Sequence, residues 1–224
     1  MKVVILGAGN VATVLCAVID RAGHEIVQVA SRNIVNAKEL AEKYNAEAGT
    51  LSDENYPQAD IYIAALTDQA LESIGKLKGL KGKFVVHTGG SIPMETLKDC
   101  TSTYGVLYPL QTLTKNSEDH IPEIPFLING NNKETQHELM AFARSLSDKV
   151  FICSDSERLK YHVAAVFVGN FSNHLLAMGE VFCEKEKIDF SVLLPLINEV
   201  NYKTNHFSPF DMQTGPAIRE DIVT

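Results

Sequence analysis

The chain opens MKVVILGAGNVATVL: a short apolar run, two glycines within three residues, then apolar residues at helical spacing. Residues 2–6 predict a strand, Gly7 to Gly9 a tight turn, and residues 11–22 a helix that stops at Gly23. The pattern repeats. Residues 25–30 predict a second strand and residues 37–44 a helix. Residues 60–66 (DIYIAAL) form an almost unbroken apolar run, as in a strand covered on both faces. Thr67 and Asp68 can cap a helix over residues 69–77, and residues 83–87 predict a further strand before Gly89 and Gly90. Short strands alternating with helices imply an α/β fold with a parallel sheet and right-handed crossovers.

Beyond Ser91 the alternation is less regular, with strands expected over residues 104–108, 126–128 and 149–153 and a helix over 134–146. Residues 112–125 carry charges and prolines and predict a surface loop. From Asp155 the strands cease. Residues 156–187 and 190–202 predict helices, with Pro195 either kinking the second or marking its true break. This gives two domains, 1–154 and an all-helical 155–224, expected to share a cleft.

The 224 residues suffice for a substantial core, and the 45% hydrophobic and 21% charged fractions describe a soluble globular protein. A net charge of −8 argues against nonspecific nucleic-acid binding. The four cysteines are scattered and form no CxxC pair, and no long apolar run suggests a signal peptide or membrane span, so a cytoplasmic protein is expected.

Gly7-Ala8-Gly9-Asn10-Val11-Ala12 fits G-x-G-x-x-G/A between strand and helix. Gly7 permits the turn, Gly9 lets a pyrophosphate approach the backbone, and Ala12 keeps helix and strand close. The amides at the helix start, from Asn10 and Val11, would face the anion. A dinucleotide is therefore expected. The second strand ends Val29-Ala30-Ser31-Arg32-Asn33, without the acidic residue that holds an NAD ribose. Ser31 and Arg32 suit a phosphate, which favours NADP. The alternative leaves Arg32 as a solvated loop arginine.

Leu66 and Thr67 fall at the carboxyl edge of the sheet, where Thr67 either touches the nicotinamide side or serves only as an N-cap. His87-Thr88-Gly89-Gly90-Ser91 ends the next strand at the same edge. His87 is a candidate donor, Thr88 a cofactor contact and Ser91 a substrate contact, with a plain turn as the alternative.

In the second half, Tyr108-Pro109-Leu110-Gln111-Thr112 closes a strand with polar groups, Gln111 being a substrate-binding candidate. His162 and Asn170 lie on one face of a predicted helix, where they could polarise or protonate a carbonyl. A buried histidine and an interhelical asparagine are the plainer readings. Thr214, followed by Arg219, Glu220 and Asp221, could clamp a carboxylate or phosphate. No HExxH or cysteine cluster suggests a metal, and no GxSxG elbow suggests hydrolysis.

In combination, GAGNVA, ASR, ALTD, VVHTGGS, YPLQT, YHVAAVFVGNF and TGPAIRED resemble a known family. It pairs a Rossmann-like NADP-binding domain with a helical C-terminal domain of unknown function, and is a distant relative of pyrroline-5-carboxylate reductase, ketopantoate reductase and the beta-hydroxyacid dehydrogenases. The resemblance implies a C-terminal domain like that of 6-phosphogluconate dehydrogenase, a homodimer formed partly through the helices, and recurrent segments that contain His87, Ser91, Gln111, His162, Asn170, Thr214 and Arg219. Family members commonly carry histidine where this chain has Tyr108, and they run on beyond the TGP segment, so truncation near Thr224 is expected. The lysine of the beta-hydroxyacid dehydrogenases has no clear match. The expected activity is NADP-dependent oxidation or reduction of a small carbonyl or imine compound. The alternative is a non-catalytic dinucleotide sensor or scaffold.

Overall fold

The structure is a computed structural model that describes residues 1–115 and 121–214. Strands β1 (Lys2–Leu6), β2 (Glu25–Ser31), β3 (Glu47–Thr50), β4 (Ile61–Ala64), β5 (Phe84–His87), β6 (Thr103–Pro109), β7 (Phe126–Gly130) and β8 (Val150–Ile152) form one sheet in the order β3-β2-β1-β4-β5-β6-β7-β8. Helices α1 (Asn10–Arg21), α2 (Ile34–Glu42), α3 (Asp68–Leu71) and α4 (Lys133–Leu146) are interleaved with them. The pairings are parallel except β6 with β7, which is antiparallel. That step closes hairpin-fashion, with the Leu110 amide donating to the Pro125 carbonyl at 2.8 Å.

The near-continuous apolar strands are explained by two buried faces. Val3, Ile5, Ile63 and Val86 point into one core with Leu15, Ile19, Leu139 and Phe142 of α1 and α4. Val4, Leu6, Tyr62 and Val85 point into the other with Leu71, Ile74, Leu80 and Leu97. The direction of winding reverses between β1 and β4. Ligands of open α/β sheets bind beyond the carboxyl ends of such strands.

Two elements depart from the sequence pattern. The helix expected over residues 69–77 stops at Leu71 and continues as short 3-10 turns, Ile74–Lys76 and Lys78–Leu80. The Ser73 hydroxyl donates to the Ala70 carbonyl at 3.2 Å, and Gly75 and Gly79 weaken helix propagation. Strand β3, Glu-Ala-Gly-Thr, has no strand-like composition and owes its extended form to pairing with β2.

Among the described residues the last strand ends at Ile152, and α5 (Asp155–Ala165) starts on a capping box of Ser154 and Glu157. A π turn, Val166–Phe171, follows, then α6 (Ser172–Glu186), a 3-10 turn and α7 (Leu194–His206). Pro195 sits in the first turn of α7, where its missing N–H costs no helix bond. Two compact units result, Met1–Asn170 and Phe171–Thr224. Among the described residues of the second, only Cys183 is buried, and Leu175, Val181, Leu196 and Phe210 are exposed. None of the four cysteines is in a disulfide. No helix among the described residues is long and apolar enough to cross a membrane.

Candidate functional site

The glycine turn is built where winding reverses. Gly7 has φ +127°, and a Cβ there would lie 2.1 Å from the Ala65 carbonyl oxygen at the end of β4, so no other residue fits. Its amide donates to the Ala30 carbonyl at 2.7 Å. Gly9 is the N-cap of α1, extended and without a side-chain cap, and a Cβ there would meet nothing within 4 Å. Both Gly9 and Asn10 are exposed. A twelve-residue helix thus presents its positive end to open space through a residue that lets an anion come close. These residues fit a pyrophosphate.

Arg32 lines a cavity of about 340 Å³ together with Thr50, Ser52, Leu66 and Ala70. The register of β2 on β3 sets Ser31 beside Thr50. The Thr50 amide and hydroxyl both donate to Asp53, at 2.8 and 2.6 Å, and the Ser52 hydroxyl lies 2.9 Å from that of Thr50. Arg32 and Leu66, far apart in sequence, therefore share one cavity. Thr50 and Ser52 were hidden because β3 itself carries no strand signal. Asn33 is turned away from this role, its side chain accepting from the Val35 amide at 2.9 Å to cap α2.

At the end of β5 the side chains are mostly consumed by structure. His87 is fully buried, and its Nδ1 accepts from the Gly89 amide at 3.1 Å. Nε2 has no hydrogen-bond partner among the described residues. Burial, reinforced by the charge of Arg158, lowers its pKa to about 4; Asp155, the Pro93 backbone and Asp68 oppose this without reversing it. The ring is neutral at pH 7. Thr88 is also buried, its hydroxyl 3.5 Å from the Ala64 carbonyl. Thr67 is exposed and makes no side-chain cap, while the Ser91 hydroxyl donates to Asp68 at 2.8 Å.

Arg158 ties this loop down. It is 1% exposed, with Nε donating to the Gly90 carbonyl at 3.3 Å, one terminal nitrogen to Asp155 at 2.7 Å and the other to the Ile92 carbonyl. Asp155 in turn accepts from the Met94 amide at 2.9 Å. A buried charge is tolerable here because every side of the guanidinium meets an oxygen. In the sequence it looks like one more polar residue on a helix.

Gly90 then makes room for a pair of side chains. A Cβ at Gly90 would lie 2.5 Å from His162 Nδ1 and 2.9 Å from Tyr108 Cζ. The Tyr108 hydroxyl lies 2.9 Å from His162 Nδ1, with the rings edge to face at 5.8 Å. Burial raises the Tyr108 pKa, as does Asp68, while Arg158 pulls against them. The phenol therefore keeps its proton at neutral pH, and by donating to Nδ1 it would place the proton of a neutral imidazole on Nε2.

Tyr108 and His162 line a cavity of about 720 Å³ with Asn10, Val11, Gln111 and Asn170. The glycine turn, the β6 end and α5 thus meet at one opening. Gln111 has both ends of its amide engaged, Nε2 donating to the Glu123 carbonyl at 3.2 Å and Oε1 accepting from the Thr112 amide at 2.9 Å. Asn10 accepts from the Lys115 amide at 3.3 Å. The π turn carries Gly169 against Thr112, whose hydroxyl oxygen would be 3.2 Å from a Cβ at that position. Thr214 is exposed, and Arg219 lies outside the described residues. No group of three or more potential metal ligands occurs among the described residues.

Residues 2–89 match the family described as NADP oxidoreductase coenzyme F420-dependent, and residues 124–224 match a domain of unknown function, DUF2520. Among curated proteins none matches. A Bacteroides fragilis protein provisionally assigned as an NADP oxidoreductase is 40% identical, over 98% of this chain and 86% of its own, with a TM-score of 0.86. The chain belongs to the same oxidoreductase family. Its fold is shared by a Streptococcus pyogenes 1-pyrroline-5-carboxylate reductase, 17% identical over 100% of this chain and 85% of its own, TM-score 0.67. A Streptomyces aurantiacus imine reductase, 16% identical over 99% of this chain and 78% of its own, has the fold as well, with a TM-score of 0.63.

Proposed function

We propose that this family member uses NADP to reduce a small carbonyl or imine compound in the cavity shared by the glycine turn and the Tyr108–His162 pair. The carrying observation is that shared cavity: Asn10 and Val11 of the nucleotide end line the same space as His162 and Asn170. An open cavity beside the pair, rather than a seal, favours catalysis over a sensor. NADPH, when bound, supplies the hydride.

The chain's own residues supply the rest. Gly7, Gly9, Asn10 and Val11 hold the pyrophosphate, and Ser31, Arg32, Thr50 and Ser52 surround the ribose phosphate. Leu66 lies on the ribose-phosphate side with Arg32, and the exposed Thr67 bounds the nicotinamide side. His162 passes its Nε2 proton to the substrate heteroatom as its Nδ1 takes the proton of Tyr108, and the phenolate left behind is reprotonated from solvent. Asn170 orients the substrate. His87 acts one step back, fixing the Gly89 turn and touching no substrate. A second copy of the chain covers the exposed apolar side chains of the helical unit, giving a homodimer.

Parallel titrations with NADPH and NADH test the cofactor assignment. NADPH should bind at least about tenfold more tightly, and Arg32→Ala should remove most of that preference, since a charge-assisted bond to the phosphate is lost. Equal affinities for the two nucleotides would overturn it.

A further inference from the structure

We infer that the Tyr108–His162 cavity selects an uncharged carbonyl or imine compound with an apolar body and discriminates against carboxylate-bearing substrates. This rests on the proposed function and narrows its substrate class.

The polar groups that line the cavity are all neutral amides and hydroxyls apart from the His162 ring: Asn10, Gln111, Thr112, Asn170 and the two tyrosines, Tyr108 and Tyr161. The walls between them are aliphatic, formed by Leu110, Leu113, Val166 and Val168. No lysine, arginine, aspartate or glutamate is among the described lining residues. Lys115 reaches this region through its backbone amide on Asn10. Arg158 lies behind Gly90, with its donors committed to two carbonyls and Asp155. Asp68 makes its negative charge felt at the Tyr108 hydroxyl, raising its pKa.

An ionised carboxylate entering this space would lose water and gain only neutral donors, one of which, Gln111 Nε2, already donates to the Glu123 carbonyl. A remaining donor is the His162 ring. Pairing with it would hold the ring proton away from the reacting heteroatom, so a carboxylate would compete with the chemistry it needs. A neutral ketone or cyclic imine avoids these costs and buries its body against the aliphatic wall. This separates the chain from the fold relative whose own name specifies a carboxylate.

The test uses matched pairs, cyclohexanone with 4-oxocyclohexanecarboxylate and 1-pyrroline with 1-pyrroline-2-carboxylate, followed through NADPH oxidation by the full chain. The uncharged member should show at least about tenfold higher kcat/KM, and Val168→Arg, at an exposed lining position, should narrow or invert that ratio with NADPH affinity unchanged. Equal or better turnover of the carboxylates by the unaltered chain overturns the inference. If no pair is turned over, the ring signals of His162 in histidine-labelled protein decide it by titration with the same compounds in the presence of NADP. Selective perturbation by the uncharged members supports it, whereas perturbation by the carboxylates alone, or by neither, refutes it. Failure to bind NADPH in a separate titration strikes the cofactor assignment instead, and the histidine titration without nucleotide then decides the substrate class.

Discussion

The ends of β5 and β6 lie side by side at the carboxyl edge of one parallel strand pair, yet they serve different ends. After β5, His87 and Thr88 are buried, and the Gly90 and Ile92 carbonyls are held by Arg158. After β6, Tyr108, Leu110, Gln111 and Thr112 line a cavity. One loop is construction and the other is contact. Two histidines of the same chemical type divide the same way: His87 is sealed and neutral, while His162 meets Tyr108 at an opening. What separates them is burial: the His87 ring is fully buried, so its unpartnered Nε2 faces no opening, whereas His162 lines one.

The contrast can be broken most forcefully at Arg158. Arg158→Met keeps much of the aliphatic bulk but strands the Gly90 and Ile92 carbonyls, and should lower the free energy of unfolding by about 3–5 kcal/mol in urea titrations. A loss below about 1 kcal/mol would mean that the β5 loop holds itself.

Next in size is His87. Its folded pKa is about 4 against an ordinary 6.5. Between these values the unfolded chain takes up a proton that the folded chain refuses. Stability is therefore complete above about pH 6.5 and falls by about 3 kcal/mol as the pH drops to about 4. His87→Asn preserves an acceptor for the Gly89 amide and should flatten this part of the pH profile. An unchanged slope in denaturant melts across the window would show that His87 titrates normally.

The smallest stability effect belongs to the β6 end. Tyr108→Phe removes one hydroxyl from a half-buried site and should cost only about 1 kcal/mol. Its effect on turnover should be far larger in proportion, about tenfold or more, if the phenol restores the His162 proton. Unchanged turnover with any accepted substrate would reduce Tyr108 to a packing residue.

The order of strands and helices was readable because each strand is a short apolar run bounded by glycine or polar residues, and because α1 and α4 keep helical periodicity. Gly7 was readable too. Its left-handed backbone and its contact with the Ala65 carbonyl are demands that only glycine meets, so the residue type itself carried the message. Strand β3 was not readable, since Glu-Ala-Gly-Thr becomes a strand through the main-chain pairing that β2 offers. With it went Thr50 and Ser52.

Local sequence thus determined the elements, the glycine turn and the presence of Arg32 after β2, because propensity and periodicity act over a few residues. Tertiary structure alone decided which polar side chains are buried and which face a cavity. His87, Arg158 and His162 are polar residues of similar outward character in the sequence. Their roles separate only when α5 packs beside the β5 loop, so that Arg158 finds carbonyls sixty-odd residues away and Gly90 leaves the space that Tyr108 and His162 share. Those contacts are fixed by long-range packing, which no local window records.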